Sequence, residues 1–212
     1  MASGAEPSPL RAPADLERAN AVCPLSTRQG VPQGHPGTKL FLMVGLPGAG
    51  KTTRAKELAA EHGALRLSPD AWMIPLFGES EADGKRAVLE GRLIWVALET
   101  LKQGTSVVLD FGFWSRDERS ALRRLATSAG ASAQVIYLPL DRATQIDRIQ
   151  HRWTHAPHET FKVTETEMDT WRALFELPDA AELNGTELDG PPPQWPSWPD
   201  WAAARWPSLA DD

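Results

Sequence analysis

Eight consecutive residues, Gly45-Leu46-Pro47-Gly48-Ala49-Gly50-Lys51-Thr52, meet the pattern G-x-x-x-x-G-K-[ST] at every fixed position. The chemistry such a run suits is the holding of phosphate. Glycines let backbone N–H groups turn inward around oxygens, and a helix opening just after adds its positive dipole end. Lys51 is placed to reach the β- and γ-phosphates, and the Thr52 hydroxyl to ligand Mg²⁺. Gly45, Gly48, Ala49, Gly50, Lys51, Thr52 and Thr53 are therefore the candidate nucleotide-binding residues.

Such a loop works only between a strand and a helix, and the flanking pattern supplies both. The apolar run 39–44 predicts a buried strand, and 51–62 a helix. Further strands are expected at 64–67, 105–109 and 134–138. Helices are expected at 81–103, 115–129, 141–153 and 163–177. Along 81–103 the residues Val88, Leu89, Arg92, Trp95, Val96 and Glu99 are spaced one turn apart or less, and Ser115 with Glu118 forms a capping box at the head of 115–129. Strands alternating with helices predict an α/β fold: a parallel sheet flanked by helices on both faces. In such a sheet the C-terminal strand ends share one crevice. Asp70, after the second strand, and Asp110, closing the third (Val107-Val108-Leu109-Asp110), would meet the loop there. Asp110 either holds Mg²⁺ or serves as a second acceptor-side carboxylate.

On these motifs residues 39–177 resemble the P-loop kinase-like proteins: chloramphenicol phosphotransferases, zeta-toxin-type kinases, polynucleotide 5′-hydroxyl kinases and similar AAA-type ATP-binding proteins. The resemblance implies a P-loop NTPase fold with a helical lid, and ATP and Mg²⁺ as cofactors. It implies that Asp70 accepts the proton of the attacking hydroxyl. Relatives often carry an arginine two or three residues later; Trp72 and Met73 stand there, which points to an apolar acceptor. Arg116 resembles the basic residue that follows the third strand in polynucleotide-kinase-like proteins and would bind acceptor or phosphate. Arg148 and Arg152, one turn apart, have the position of lid arginines that neutralise the transferring phosphoryl group, and Arg142 that of a residue stacking on adenine.

The remaining signals shape the acceptor side and the chain ends. Trp72 and Trp114 each follow a candidate carboxylate and would line a pocket for an aromatic or amphipathic molecule. Trp95, Trp153 and Trp171 are expected in the core. Arg119 and Arg123 share a helix face with Arg116 and are expected in solvent beside Asp117 or Glu118. His151, His155 and His158 lack the further ligands of a zinc site and are expected on the lid or surface.

Six prolines in 1–38 and seven in 178–212, against five in 39–177, predict a disordered Pro/Gly-rich segment (1–38), a kinase domain (39–190) and a Pro/Trp-rich tail (191–212). Trp195, Trp198, Trp201 and Trp206 of that tail are expected to fold back onto the domain.

Residues 176–212 hold eight acids and one base, so the rest of the 212-residue chain is close to neutral within a net charge of -6. No broad basic surface for nucleic acid follows from that balance. One cysteine excludes a disulfide framework. Neither a signal peptide nor a membrane-length apolar run is visible, so a cytoplasmic protein is expected. The reading that results is an ATP-dependent O-phosphotransferase acting on a small hydroxyl compound, an antibiotic or nucleoside-type natural product. A polynucleotide 5′-hydroxyl kinase and a non-catalytic nucleotide switch are the alternatives. N-K-x-D, the guanine-reading motif, is absent.

Overall fold

The structure, a computed structural model, describes residues 37–78, 82–155, 163–186 and 189–210. The expectations for 1–36, for His158 and for the Arg152 side chain lie outside the described residues.

Four parallel strands form the sheet: β1 (Lys39–Val44), β2 (Leu65–Leu67), β3 (Val107–Gly112) and β4 (Ser132–Tyr137), in the order β2-β3-β1-β4. β1 is central, and the chain crosses to opposite sides of it. Its C-terminal end is therefore the switch point where an open α/β sheet leaves a crevice. Alternation along the strands sends side chains to two cores. Phe41, Met43 and Val108 meet Ala55 and Leu58 of α1 (Lys51–His62). Leu40, Leu42, Val44, Val107 and Leu109 face the other way. There they meet Leu93, Ile94, Ala97 and Leu101 of α3 (Lys85–Lys102), and Ala121, Leu122 and Ala126 of α4 (Arg116–Ser128). A strand buried on both faces must read as a continuous apolar run, as 39–44 does.

The expected 81–103 helix is α3, and a separate short helix, α2 (Asp70–Phe77), precedes it. The core face of α3 is not the row through Val88 and Arg92: Val88 is 48% exposed. Both halves of the Ser115/Glu118 capping box are present at the head of α4. α5 (Arg142–His155) and α6 (Glu165–Leu174) follow β4. The last turns of α5 leave the core, so Trp153 is 38% exposed, against the expected burial.

α7 (Ala180–Leu183) and α8 (Trp198–Arg205) are the last helices among the described residues. Trp198, Ala202 and Trp206 are buried in the larger core against α4. Arg119 and Arg123 are not in solvent. Arg119 is fully buried and grips Glu182 through two bonds, Nε–Oε1 at 2.7 Å and Nη2–Oε2 at 3.0 Å. Arg123 donates to the Thr186 carbonyl. An acid of the C-terminal segment, Glu182, is thus the partner of Arg119, and a backbone carbonyl of the same segment that of Arg123.

Ser208 and Leu209 lie across α3 at Gly91. Ser208 Oγ donates to the Val88 carbonyl, and Arg92 donates to the Ser208 carbonyl at 2.9 Å. A Cβ on Gly91 would stand 2.5 Å from Ser208 Oγ and 3.0 Å from the Leu209 nitrogen. Helix propensity alone favours Gly91→Ala by about 1 kcal/mol. The crossing reverses the sign: the variant is expected to lose about 1–3 kcal/mol in urea denaturation. A gain in stability would show that the crossing yields at no cost.

Candidate active site

The loop joins β1 to α1. Gly45, Gly48 and Gly50 all have positive φ. Gly45 (φ 153°) is the most constrained, since a Cβ there would stand 3.0 Å from the Leu138 carbonyl oxygen and 3.2 Å from Ala49 Cβ. α1 opens with no side-chain cap and no acid in its first turn. Its leading N–H groups and dipole end are thus left to an anion. Thr52 and Thr53 are exposed in that first turn. Lys51 Nζ donates to the Gly45 and Leu46 carbonyls at 2.8 and 3.0 Å, holding the ammonium across the cradle. The end of β3 passes close by: a Cβ on Gly112 would lie 3.2 Å from Lys51 Cε.

Two helices brace the loop from outside. Fully buried Gln145 donates to the Pro47 carbonyl at 3.2 Å, and Arg148 to the Gly48 carbonyl at 3.0 Å. Arg172 of α6 holds Gln145 (2.7 Å) and the Leu140 carbonyl (2.7 Å). A cavity of about 150 Å³ opens beside Leu46, walled by Tyr137, Leu138, Leu140, Arg172, Phe175 and Leu177. Arg142 is not among its walls. Its guanidinium ties α5 to α6 through Asp169 (2.7 Å) and Glu165 (3.0 Å), which raise its pKa further. The expected stacking of Arg142 on adenine is replaced by this tie.

On the acceptor side, Asp70 opens α2 with its side chain 71% exposed. Arg86 of α3 donates to its Oδ1 at 2.9 Å and, through Nε, to Glu90 at 3.0 Å. Glu90 is buried, and that burial raises its pKa against the opposing charge of Arg86. Arg86 thus sets a guanidinium beside Asp70 from another helix. Along α2, Met73 is buried, while Trp72, Ile74, Leu76 and Phe77 stand 39–57% exposed. Trp114 does not join Trp72 in any ring contact among the described residues; its ring lies 6.2 Å from that of Trp171.

Asp110 is 2% exposed and accepts from Arg66 Nη2 (2.6 Å) and Nε (3.2 Å), both on Oδ2. Arg116, expected at phosphate or acceptor, instead reaches the C-terminal segment. It pairs with Asp179 (2.8 Å) and Asp189 (2.7 Å), and its backbone N–H donates to Glu176 (2.6 Å). Two acids of that segment thus hold its guanidinium.

The donor set fits a phosphate-bound Mg²⁺. Thr52 offers an exposed hydroxyl in the first turn of α1, and Asp110 a carboxylate on the sheet face that α1 covers. Oδ2 of Asp110 is, however, engaged by Arg66. No cluster of three or more His, Cys, Asp or Glu side chains suited to a metal occurs among the described residues. His151 and His155 are exposed, with their rings stacked at 3.9 Å.

Arg66, Arg86, Gln145 and Arg172 escape sequence reasoning. Arg86 leaves one trace, its i,i+4 spacing to Glu90. Arg66 leaves none until the register of β2 on β3 is known.

Over 130 residues the chain is 28% identical to the mitochondrial GTP:AMP phosphotransferase of Drosophila melanogaster, covering 57% of this chain and 60% of that protein. The chain thus spans about 60% of that relative's length. A candidate kinase from Chloroflexus aurantiacus superposes with a TM-score of 0.56 at 22% identity, over 73% of this chain and 85% of its own. The Pnkp1/Rnl/Hen1 RNA repair complex gives 0.51 at 21%, over 65% of this chain and 43% of that one. At such identities the likeness to solved structures is one of fold. No helix among the described residues is long and apolar enough to cross a membrane. The AAA domain family model matches residues 40–178, more than half of the chain, and the protein belongs to that family of P-loop kinase-like proteins.

Proposed function

We propose that the protein transfers the γ-phosphoryl group of ATP to a hydroxyl of a small molecule with an apolar or aromatic body, of antibiotic or nucleoside type, in the cytoplasm. The observation that carries this reading is the pairing of an exposed, arginine-held Asp70 with the solvent-facing apolar side chains of its own helix. They stand at the end of the sheet that carries the phosphate loop. The GTP:AMP phosphotransferase relative supports phosphoryl transfer as the reaction class.

In this reading Asp70 accepts the hydroxyl proton as the oxygen attacks the γ-phosphorus, and the bridging oxygen leaves with ADP. Lys51 and Arg148 hold the developing charge, and Arg152 joins them from the lid helix. Trp72 holds the body of the acceptor. Thr52 would hold Mg²⁺, which would supply neutralisation of phosphate charge. Most of the rate comes from placing the hydroxyl in line.

The test is a mass-shift screen with Mg²⁺ and either ATP or GTP, against pools of antibiotics, nucleosides, AMP, sugars and 5′-hydroxyl oligonucleotides. Gain of one phosphoryl mass on an amphipathic alcohol supports the proposal. Gain confined to oligonucleotides or to AMP overturns it. Asp70→Asn is expected to keep nucleotide affinity within about twofold while lowering transfer about 10²–10⁴-fold. Full activity in that variant would remove Asp70 from the base role.

A further inference from the structure

Asp110 and Arg66 lie on one face of the sheet. In the β2–β3 register Arg66 stands opposite Val108, and Asp110 follows Val108 by two residues. Val108 packs with Ala55 and Leu58 of α1. Alternation therefore sends Val108, Asp110 and Arg66 toward the helix whose first turn bears Thr52. A strand-end carboxylate there faces the side on which phosphate-bound metal is held, so the argument that follows rests on the nucleotide reading of the loop.

We propose that Arg66 is an internal counter-ion of Asp110 that competes with a divalent cation for that carboxylate and so sets how tightly the site takes metal. Both donors of Arg66 fall on one oxygen, Oδ2, at 2.6 and 3.2 Å. A metal ligating that oxygen would have to displace them. A second cation cannot settle beside the first without strong repulsion, because the carboxylate is only 2% exposed and screening there is weak. Arg66 is the member able to move: its side chain is 21% exposed and has a path to solvent, whereas Asp110 is fixed within β3.

The test uses Arg66→Gln, Asp110→Asn and the double variant, with two readouts that need neither acceptor nor turnover. The first is thermal melting against MgCl₂ alone. Arg66→Gln leaves a buried carboxylate unpaired and is expected to melt on the order of 10 °C below wild type. Millimolar Mg²⁺ should recover most of that loss through binding to the native state, and should do nothing for the double variant. The second is Mn²⁺ affinity by electron paramagnetic resonance at fixed ADP. It is expected to tighten about tenfold or more in Arg66→Gln and to weaken in Asp110→Asn.

A melting temperature of Arg66→Gln that responds to Mg²⁺ no more than wild type does, or an unchanged Mn²⁺ affinity, overturns the proposal. Asp110 would then serve only to anchor Arg66. If Arg66→Gln does not fold, Arg66→Lys keeps the charge and loses the two-donor grip. Several-fold tighter Mn²⁺ binding is expected of it, and unchanged binding overturns the proposal equally. Absence of ADP binding in wild type would sink the nucleotide reading, while the Mg²⁺ melting series still decides the competition.

Discussion

Replacing Lys51 with alanine is expected to lower phosphoryl transfer by about three orders of magnitude or more and to weaken nucleotide binding with it. The side chain does two jobs. Its ammonium is the fixed cation of the cradle, and its bonds to the Gly45 and Leu46 carbonyls hold the loop's first turn in shape. Alanine removes both. Arginine should rescue little, because a planar fork does not replace a compact point charge held by two carbonyls. Calorimetric titration with ATP and single-turnover transfer to the acceptor found by the mass-shift screen give the two readouts. Wild-type turnover in Lys51→Ala would remove the loop from the chemistry.

The largest effect on stability is expected from Glu182→Ala. Glu182 and Arg119 form a salt bridge with side chains 2% and 0% exposed. Such a pair contributes little over a well-packed apolar pair, but breaking it strands a charge without water. The variant should lose about 3–5 kcal/mol in denaturant unfolding and melt on the order of 10 °C lower. Arg119 also donates to the Trp114 carbonyl at 3.1 Å, the atom that accepts from the Glu176 N–H at 3.0 Å. The connection after β3 should loosen with it. The double replacement Arg119→Leu/Glu182→Leu should recover most of the loss. If Glu182→Ala melts like wild type, the buried pair is not what fastens the C-terminal segment.

The phosphate loop was legible because its signal is local. The glycine spacing, the preceding apolar run and the lysine lie within fourteen residues, and each acts through its own backbone. The fold class followed because buried parallel strands must be apolar throughout. What could not be read depends on register and on partners far along the chain. Arg116, Arg119 and Arg123 look alike in sequence, spaced along one helix face. Their fates differ by which acid or carbonyl of residues 179–189 lies opposite. Asp70 and Asp110 were visible as carboxylates at strand ends, but not Arg86 and Arg66, which hold them from positions sixteen and forty-four residues away. Trp153 failed for a simpler reason: helical periodicity marks a face, not where along the helix the core ends.

Trp198 and Trp206 sit in the same core as β1, yet they follow every strand of the described sheet along the chain. During translation the sheet and α4 emerge first, with the groove meant for α8 open and the Arg119 guanidinium without its acid. Completion of the core therefore waits on residues 198–206, and the nascent chain passes through an interval of exposed apolar surface in which chaperones have something to hold. A premature stop after residue 190 should yield a chain with every element of the phosphate site but an unfinished core, one that degrades or aggregates rather than accumulating as a minimal enzyme.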